Sequence, residues 1–287
     1  MAFLSALFVS FRAALEKRSL REMDEFAVAL GLRFFAFLFL FPLVLLLGVD
    51  IPFENNTFFL ALLAGSCLNS ISTVLVMKAL KEGDLSMVGP MTTFTPLFVL
   101  FTSPFIVGEF PPLQGVLGVL CIVLGAYIIN IKELRNGYKA PFVSLFENKG
   151  VLFMLGAAFV WSIASNVDKI GVEASHPFLW ALGINAFVTL LLSIAVLVRG
   201  EMDHEREEFS ERDILPLSLI GFVAMLVSVF QLYALSMILV VYVISLKRMS
   251  VIFEVLIGHF GFKEKSFKER LGGAFIMLLG AVLIIFS

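Results

Sequence analysis

Charge is what this sequence has least of. Only 15% of its 287 residues are Asp, Glu, Lys or Arg, against about 25% in an ordinary soluble domain. Its two cysteines, Cys67 and Cys121, sit inside apolar runs without disulfide or metal-ligand spacing and read as packing residues. HExxH, GxSxG, GxxxxGK, GxGxxG and CxxC are all missing. The signatures of zinc and serine hydrolases, phosphate loops and dinucleotide sites are therefore wanting, and no cofactor or metal is expected. A formal charge of −2 gives no basic field for nucleic acid. No basic residue precedes the first apolar stretch and no small-residue cleavage site follows it, so a signal peptide is not read there.

What remains is apolar surface. The chain is 60% hydrophobic, with 32 phenylalanines and a mean hydropathy of +0.99. That excludes disorder, a coiled coil and a water-soluble enzyme, and leaves a protein whose solvent is the bilayer. A bilayer core of roughly 30 Å needs about 20 apolar residues per helix. Ten runs qualify or come close: residues 2–15, 26–47, 57–77, 85–107, 113–131, 150–167, 178–198, 214–235, 238–262 and 271–286. All are expected to be helices, because lipid offers nothing to an unpaired backbone group. The first run is short, and must extend through Glu16 to Ser19 or lack its natural start. The mixed-charge stretch at 199–213, with His204 inside it, reads as a solvated loop.

The sequence also repeats. At an offset of 152, "FAVALGLRFF" from Phe26 falls on "FLWALGINAF" from Phe178. At an offset of 155, Glu109, Gly118 and Gly125 fall on Glu264, Gly273 and Gly280. Glycines seven residues apart share a helix face and permit close backbone approach. The copies cover 1–131 and 150–287, joined by a linker at 132–149. Five spans per copy is an odd number, so the second copy enters the membrane inverted. Charge agrees: 16 Lys and Arg lie in alternate connections, and Lys169 alone in the others. The positive-inside rule then makes the basic loops cytoplasmic and puts both termini outside. Inverted repeats of this kind mark secondary transporters with a site near mid-depth.

Ionisable residues at membrane depth cost at least ~2.5–3.5 kcal/mol and should face a cavity or a partner. The ninth run carries Lys247, Arg248, Glu254 and His259. Glu254 is assigned a cation from another helix, Arg33 or Arg12, or the role of coupling-proton carrier. His259 reads as structural and Arg12 as snorkelling near a helix end. Arg33 aligns with Asn185, so both copies put a polar group at one depth. Thr92, Thr93 and Thr95 lie in the fourth run between Pro90 and Pro96, which free backbone carbonyls there. Asn69 in the third run, Trp161 in the sixth and Gln231 in the eighth complete the candidate substrate-binding set. Trp180 reads as an interfacial anchor, and Asp168 with Lys169 as the mark of a helix end.

The phrases "LKEGDLSMVGPMTTFTPLFVLFTSPFIVGE" and "SLKRMSVIFEVLIGHFGFKEKSFKERLGGAFIMLLGAVLI", with the ten runs and two copies, resemble the drug/metabolite transporter superfamily, EamA type. The resemblance covers nearly the whole chain. It implies an all-α integral membrane fold of ten transmembrane helices in two inverted five-helix repeats around a central cavity, with the fifth and tenth helices peripheral. The adjacent Lys247 and Arg248 also resemble the basic pair with which plastid phosphate translocators of that superfamily hold phosphate. The expectation is a plasma-membrane transporter that moves a small, phosphorylated or carboxylated metabolite by alternating access. Its partners would be substrate, lipid, a coupling proton or counter-substrate, and a second copy in a homodimer. Export of amino acids or amphipathic drugs is the alternative on the same fold. A channel, or an intramembrane enzyme using Glu254 or His259 as base on a lipid headgroup, are the rivals from other classes.

Overall fold

A computed structural model of the chain describes residues 1–19, 23, 25–82, 89–131, 149–200, 211–253, 256 and 267–287. Among them are ten α-helices and no strand. They are α1 (Ala2–Ser19), α2 (Glu25–Leu47), α3 (Asn56–Glu82), α4 (Thr95–Ile106), α5 (Leu113–Ile131), α6 (Lys149–Glu173), α7 (Pro177–Gly200), α8 (Glu211–Leu235), α9 (Val240–Lys247) and α10 (Phe267–Ile285). A 3-10 turn, Gly89–Phe94, leads into α4. Stretches of α2, α3, α6, α7 and α8 are each long and apolar enough to cross a bilayer. Large apolar side chains such as Leu46, Leu60, Phe101 and Phe105 point outward, as helices solvated by lipid require.

Helix ends differ from the hydropathy runs where polar residues pair. The first helix continues to Ser19, and Arg12 does not snorkel alone: its Nε lies 3.2 Å from Glu16 Oε1, one turn on. The sixth continues past Asp168 and Lys169 to Glu173, so those two residues mark no helix end. The fourth run is split: a 3-10 turn at Gly89–Phe94 precedes α4, and Pro96, in the first turn of α4, has no N–H to bond back to that turn. The ninth is split too, by a turn at Arg248 and Met249, after which helix resumes at residues 250–253.

The helices form two compact units that do not coincide with the sequence repeats. One contains Met1, Phe3–Ser70 and Val167–Ser236, the other Ala2, Ile71–Asn166 and Met237–Ser287. Each unit thus draws on both halves of the chain.

Within the first unit, α2 packs on α7 and α8. A Cβ at Gly31 would come within 2.9 Å of Leu217, and a Cβ at Gly183 within 2.9 Å of Leu62. Gly31 and Gly183 are 152 positions apart and Leu62 and Leu217 are 155 apart, so equivalent residues exchange equivalent contacts. That reciprocity is the signature of an internal two-fold.

Within the second unit, α5 and α10 lie against each other along their length. Gly118 meets the backbone of Gly280, its Cβ position 2.7 Å from the Gly280 carbonyl oxygen, while Gly125 meets Gly273. Rising numbers on one helix meet falling numbers on the other, so these equivalent helices run antiparallel. The glycine heptads are therefore the contact itself, where any side chain would hold the backbones apart.

Candidate functional site

In the first unit the polar centre is built around Arg33 on α2, two residues beyond the glycine that lets α8 approach. Its two terminal nitrogens donate to Asn185 Oδ1 on α7 and Asn69 Oδ1 on α3, each at 3.4 Å. Both amides are oriented by their own helices. Asn69 Nδ2 donates to the Gly65 carbonyl at 2.9 Å and Asn185 Nδ2 to the Ala181 carbonyl at 2.8 Å, so each turns its oxygen to the guanidinium. Among the described residues no carboxylate comes within ion-pair distance of Arg33; Arg12, Asp168 and Glu16 act on it from further away. Arg33 and Asn185 are repeat equivalents. Equivalent positions that touch each other lie on the two-fold relating the copies, and in inverted repeats that axis runs in the membrane plane near mid-depth.

The same unit holds two charged residues and a tryptophan whose roles differ from those expected. Trp180 is no interfacial anchor: it is fully buried, its Nε1 donating to Asp168 Oδ1 at 3.0 Å and its ring stacked edge-on to Phe58. A side chain at Gly171 would collide with the indole. Lys169 is 8% exposed, donates to the Leu235 carbonyl at 2.6 Å and pairs with Glu173 at 3.4 Å. The signal for both is in the sequence: at the 152 offset, Glu16 and Lys17 fall on Asp168 and Lys169. Asn166, Lys169 and Glu173 also share one helix face. Gln231 is half-buried on α8.

In the second unit, Arg248 donates from a terminal nitrogen to Thr95 Oγ1 at 2.8 Å, and Thr95 donates in turn to the Thr92 carbonyl at 2.8 Å. Thr93 and Thr95 are buried, and Lys247 is half-buried at the end of α9. At the 155 offset Arg248 and Met249 fall on Thr93 and Phe94, so both copies interrupt their fourth helix at one position. Interrupted spans of this kind expose main-chain polar groups that transporters use for binding. A polar network follows on α6, where Asn166 Nδ2 donates to Thr102 Oγ1 at 2.9 Å and to the Ser162 carbonyl at 2.8 Å. Trp161 is half-buried on α6, and its indole makes no hydrogen bond among the described residues. Glu254 and His259 lie outside the described residues.

The candidate set thus falls into two clusters: Arg33 with Asn69 and Asn185 in the first unit, Arg248 with Thr95 and Thr92 in the second. A two-repeat helical scaffold of apolar spans, its fourth helix interrupted in each copy, is the fold of a polytopic transporter. The EamA-like transporter family model matches residues 1–131 and 148–286, and the chain belongs to that family. It is 21% identical over 291 residues to a protein of Archaeoglobus fulgidus described as an uncharacterized transporter, over 99% of this chain and 96% of that one. A protein known from its crystal structure shares the fold at a TM-score of 0.77 and 14% identity, over 99% of this chain and 95% of that chain. The family and the transporter-named relative point to a membrane transporter and away from an enzyme.

Proposed function

We propose that this protein is a secondary transporter that carries a small anionic metabolite, phosphorylated or carboxylated, across the plasma membrane by alternating access, with both termini outside. The observation that carries the reading is Arg33, a guanidinium on the repeat axis that donates to two neutral amide oxygens at 3.4 Å. Bonds that long are weak, and only two of five guanidinium donors enter them. An unneutralised cation at membrane depth is costly. An incoming carboxylate or phosphate supplies the missing charge and shorter, charge-assisted bonds. Lys247 and Arg248 add positive charge in the second unit, and Thr92, Thr93, Thr95, Trp161 and Gln231 supply polar and aromatic surface. Glu254, or a counter-substrate, balances the empty site.

A thermal-shift screen of the purified protein against phosphorylated, carboxylated and cationic metabolites tests this. Stabilisation by anions, lost in Arg33→Gln, supports the reading. Stabilisation by cations alone, or anion stabilisation that persists in Arg33→Gln, overturns it.

A further inference from the structure

Glu109 heads the Glu–glycine pattern of the first copy and lies in the connection from α4 to α5. Its Oε2 accepts the N–H of Val240, the first residue of α9, at 2.7 Å, and also accepts from Ser103 Oγ of α4 at 3.3 Å. Helix α9 needs such a partner. It has only eight residues, of which Val240, Val241, Val243 and Ile244 are β-branched, and helices under about 12 residues are marginal on their own. Leu239, the residue before it, has no side-chain acceptor with which to cap it, and Val240 and Val241 are fully buried, so water does not reach their N–H groups. A carboxylate at this N–H-rich end also has the sign that the helix dipole favours.

The other end of α9 is held by α4 as well. Arg248, the residue after α9, donates to Thr95 Oγ1 at the start of α4 at 2.8 Å. The start of α9 is thus bonded beside the end of α4, and the end of α9 to the start of α4, so the two helices run antiparallel with a rung at each end. Thr95 and Ser103 are eight residues apart, as are Val240 and Arg248, and that length of helix rises about 12 Å. The rungs are equally spaced on both helices, and together they set where α9 stands along α4. Between them α9 is steadied from α5, where Tyr242 lies so close to Gly115 that no side chain fits there, and the Tyr242 hydroxyl accepts from Ser287 Oγ at 2.9 Å. All of these residues belong to the second unit.

We infer that Glu109 is a positioning residue for Arg248: by fixing the start of α9 on α4 it sets the register that brings the Arg248 guanidinium to Thr95, and so the place at which that charge meets an anion. This rests on the anion-transport reading above, because the place of Arg248 matters to affinity only if an anion binds there.

The test uses the full-length protein and has two parts. Thermal-shift titration with inorganic phosphate and with malate reads anion affinity, and hydrogen–deuterium exchange in nanodiscs reads α9. Glu109→Leu, which removes the acceptor, weakens anion binding by about tenfold, the scale of one charge-assisted bond. Glu109→Gln keeps an oxygen for Val240 and stays within about threefold of the wild type. In an Arg248→Ala background Glu109→Leu adds less than about twofold, since a residue that acts through Arg248 has nothing left to position. In exchange, Glu109→Leu loses protection along α9 and through the turn at Arg248 and Met249, and Glu109→Gln keeps it. Unchanged affinity in Glu109→Leu, equal losses in Glu109→Leu and Glu109→Gln, a full tenfold loss on top of Arg248→Ala, or exchange that rises only at Val240 and Val241 overturns the inference. If Glu109→Leu does not fold, Ser103→Ala, which releases Glu109 Oε2 from α4, carries both parts, with a loss of about threefold that vanishes in the Arg248→Ala background and the same outcomes counting against it. If neither anion binds the wild type, the anion reading fails, and the exchange pattern alone decides whether Glu109 sets the register of α9.

Discussion

Arg33 and Asn185, 152 positions apart and equivalent in the two repeats, are hydrogen-bonded to each other at 3.4 Å. A repeat fold built from near-identical copies would place like residues at such a point. Here one copy brings a cation and the other an amide, so like-charge repulsion across the axis is avoided and a single positive charge is left there. The asymmetry of the site is thus a substitution at one aligned position, on a scaffold whose packing contacts remain reciprocal.

Removing the amide exposes what it does. Asn185→Leu deletes an acceptor from a guanidinium and should lower the melting temperature, the cost of an unsatisfied charged donor being about 1–3 kcal/mol. An anion that binds Arg33 should recover most of that loss. A melting temperature that falls equally with and without a stabilising anion would show that the amide serves packing alone.

Reciprocal glycine packing gives paired effects. Gly118→Ala and Gly280→Ala each push a methyl group into the other helix's backbone and should destabilise by similar amounts, about 1–3 kcal/mol for overpacking. Gly272→Ala, on the same helix α10 with open space at its Cβ, should not lower the melting temperature, because alanine is the better helix former and meets no neighbour. Thermal unfolding in detergent of all three separates close approach from helix propensity.

Trp180→Phe keeps the buried ring and removes the donor to Asp168. The variant should be less stable by about 1–3 kcal/mol, the price of a buried acceptor that loses a partner. Gly171→Ala, which forces the indole aside, should be at least as harmful. Equal stability of Trp180→Phe and wild type in thermal unfolding would return Trp180 to the role of a simple apolar filler.

Thr95→Val preserves shape and deletes the oxygen that Arg248 and the Thr92 carbonyl share. Anion affinity should change by less than for Arg248→Ala, since the threonine orients the guanidinium and the arginine supplies the charge. Titration of both variants by thermal shift checks the order, and a larger loss in Thr95→Val would reverse the assignment.

Much of this was legible in the chain because lipid imposes one rule everywhere: apolar length dictates helix. The runs at 26–47, 113–131 and 214–235 end where α2, α5 and α8 end. The glycine heptads mark a face of close helix approach on α5 and on α10, and the alignment of Arg33 with Asn185 marks a shared polar depth, but neither names its partner, which only the fold supplies. Hydropathy failed where polarity is paired. Asp168 and Lys169 looked like a helix terminus because a charged pair usually is one, yet Trp180 and the Leu235 carbonyl satisfy them inside α6. Trp180 looked interfacial because its partner lies twelve residues back, across a turn that composition does not reveal. The break at Arg248 carries no proline, and only its register with the Thr93 and Phe94 turn of the other copy marks it.

The most direct test of the account is saturable counterflow in proteoliposomes, wild type beside Arg33→Gln and Arg33→Lys, with phosphorylated, carboxylated and cationic metabolites inside and out. The account predicts exchange of an anion by the wild type, its loss in Arg33→Gln, and no full rescue by lysine, which cannot present a planar fork to a carboxylate or phosphate. Anion exchange that survives in Arg33→Gln, or exchange of cations alone, would contradict it.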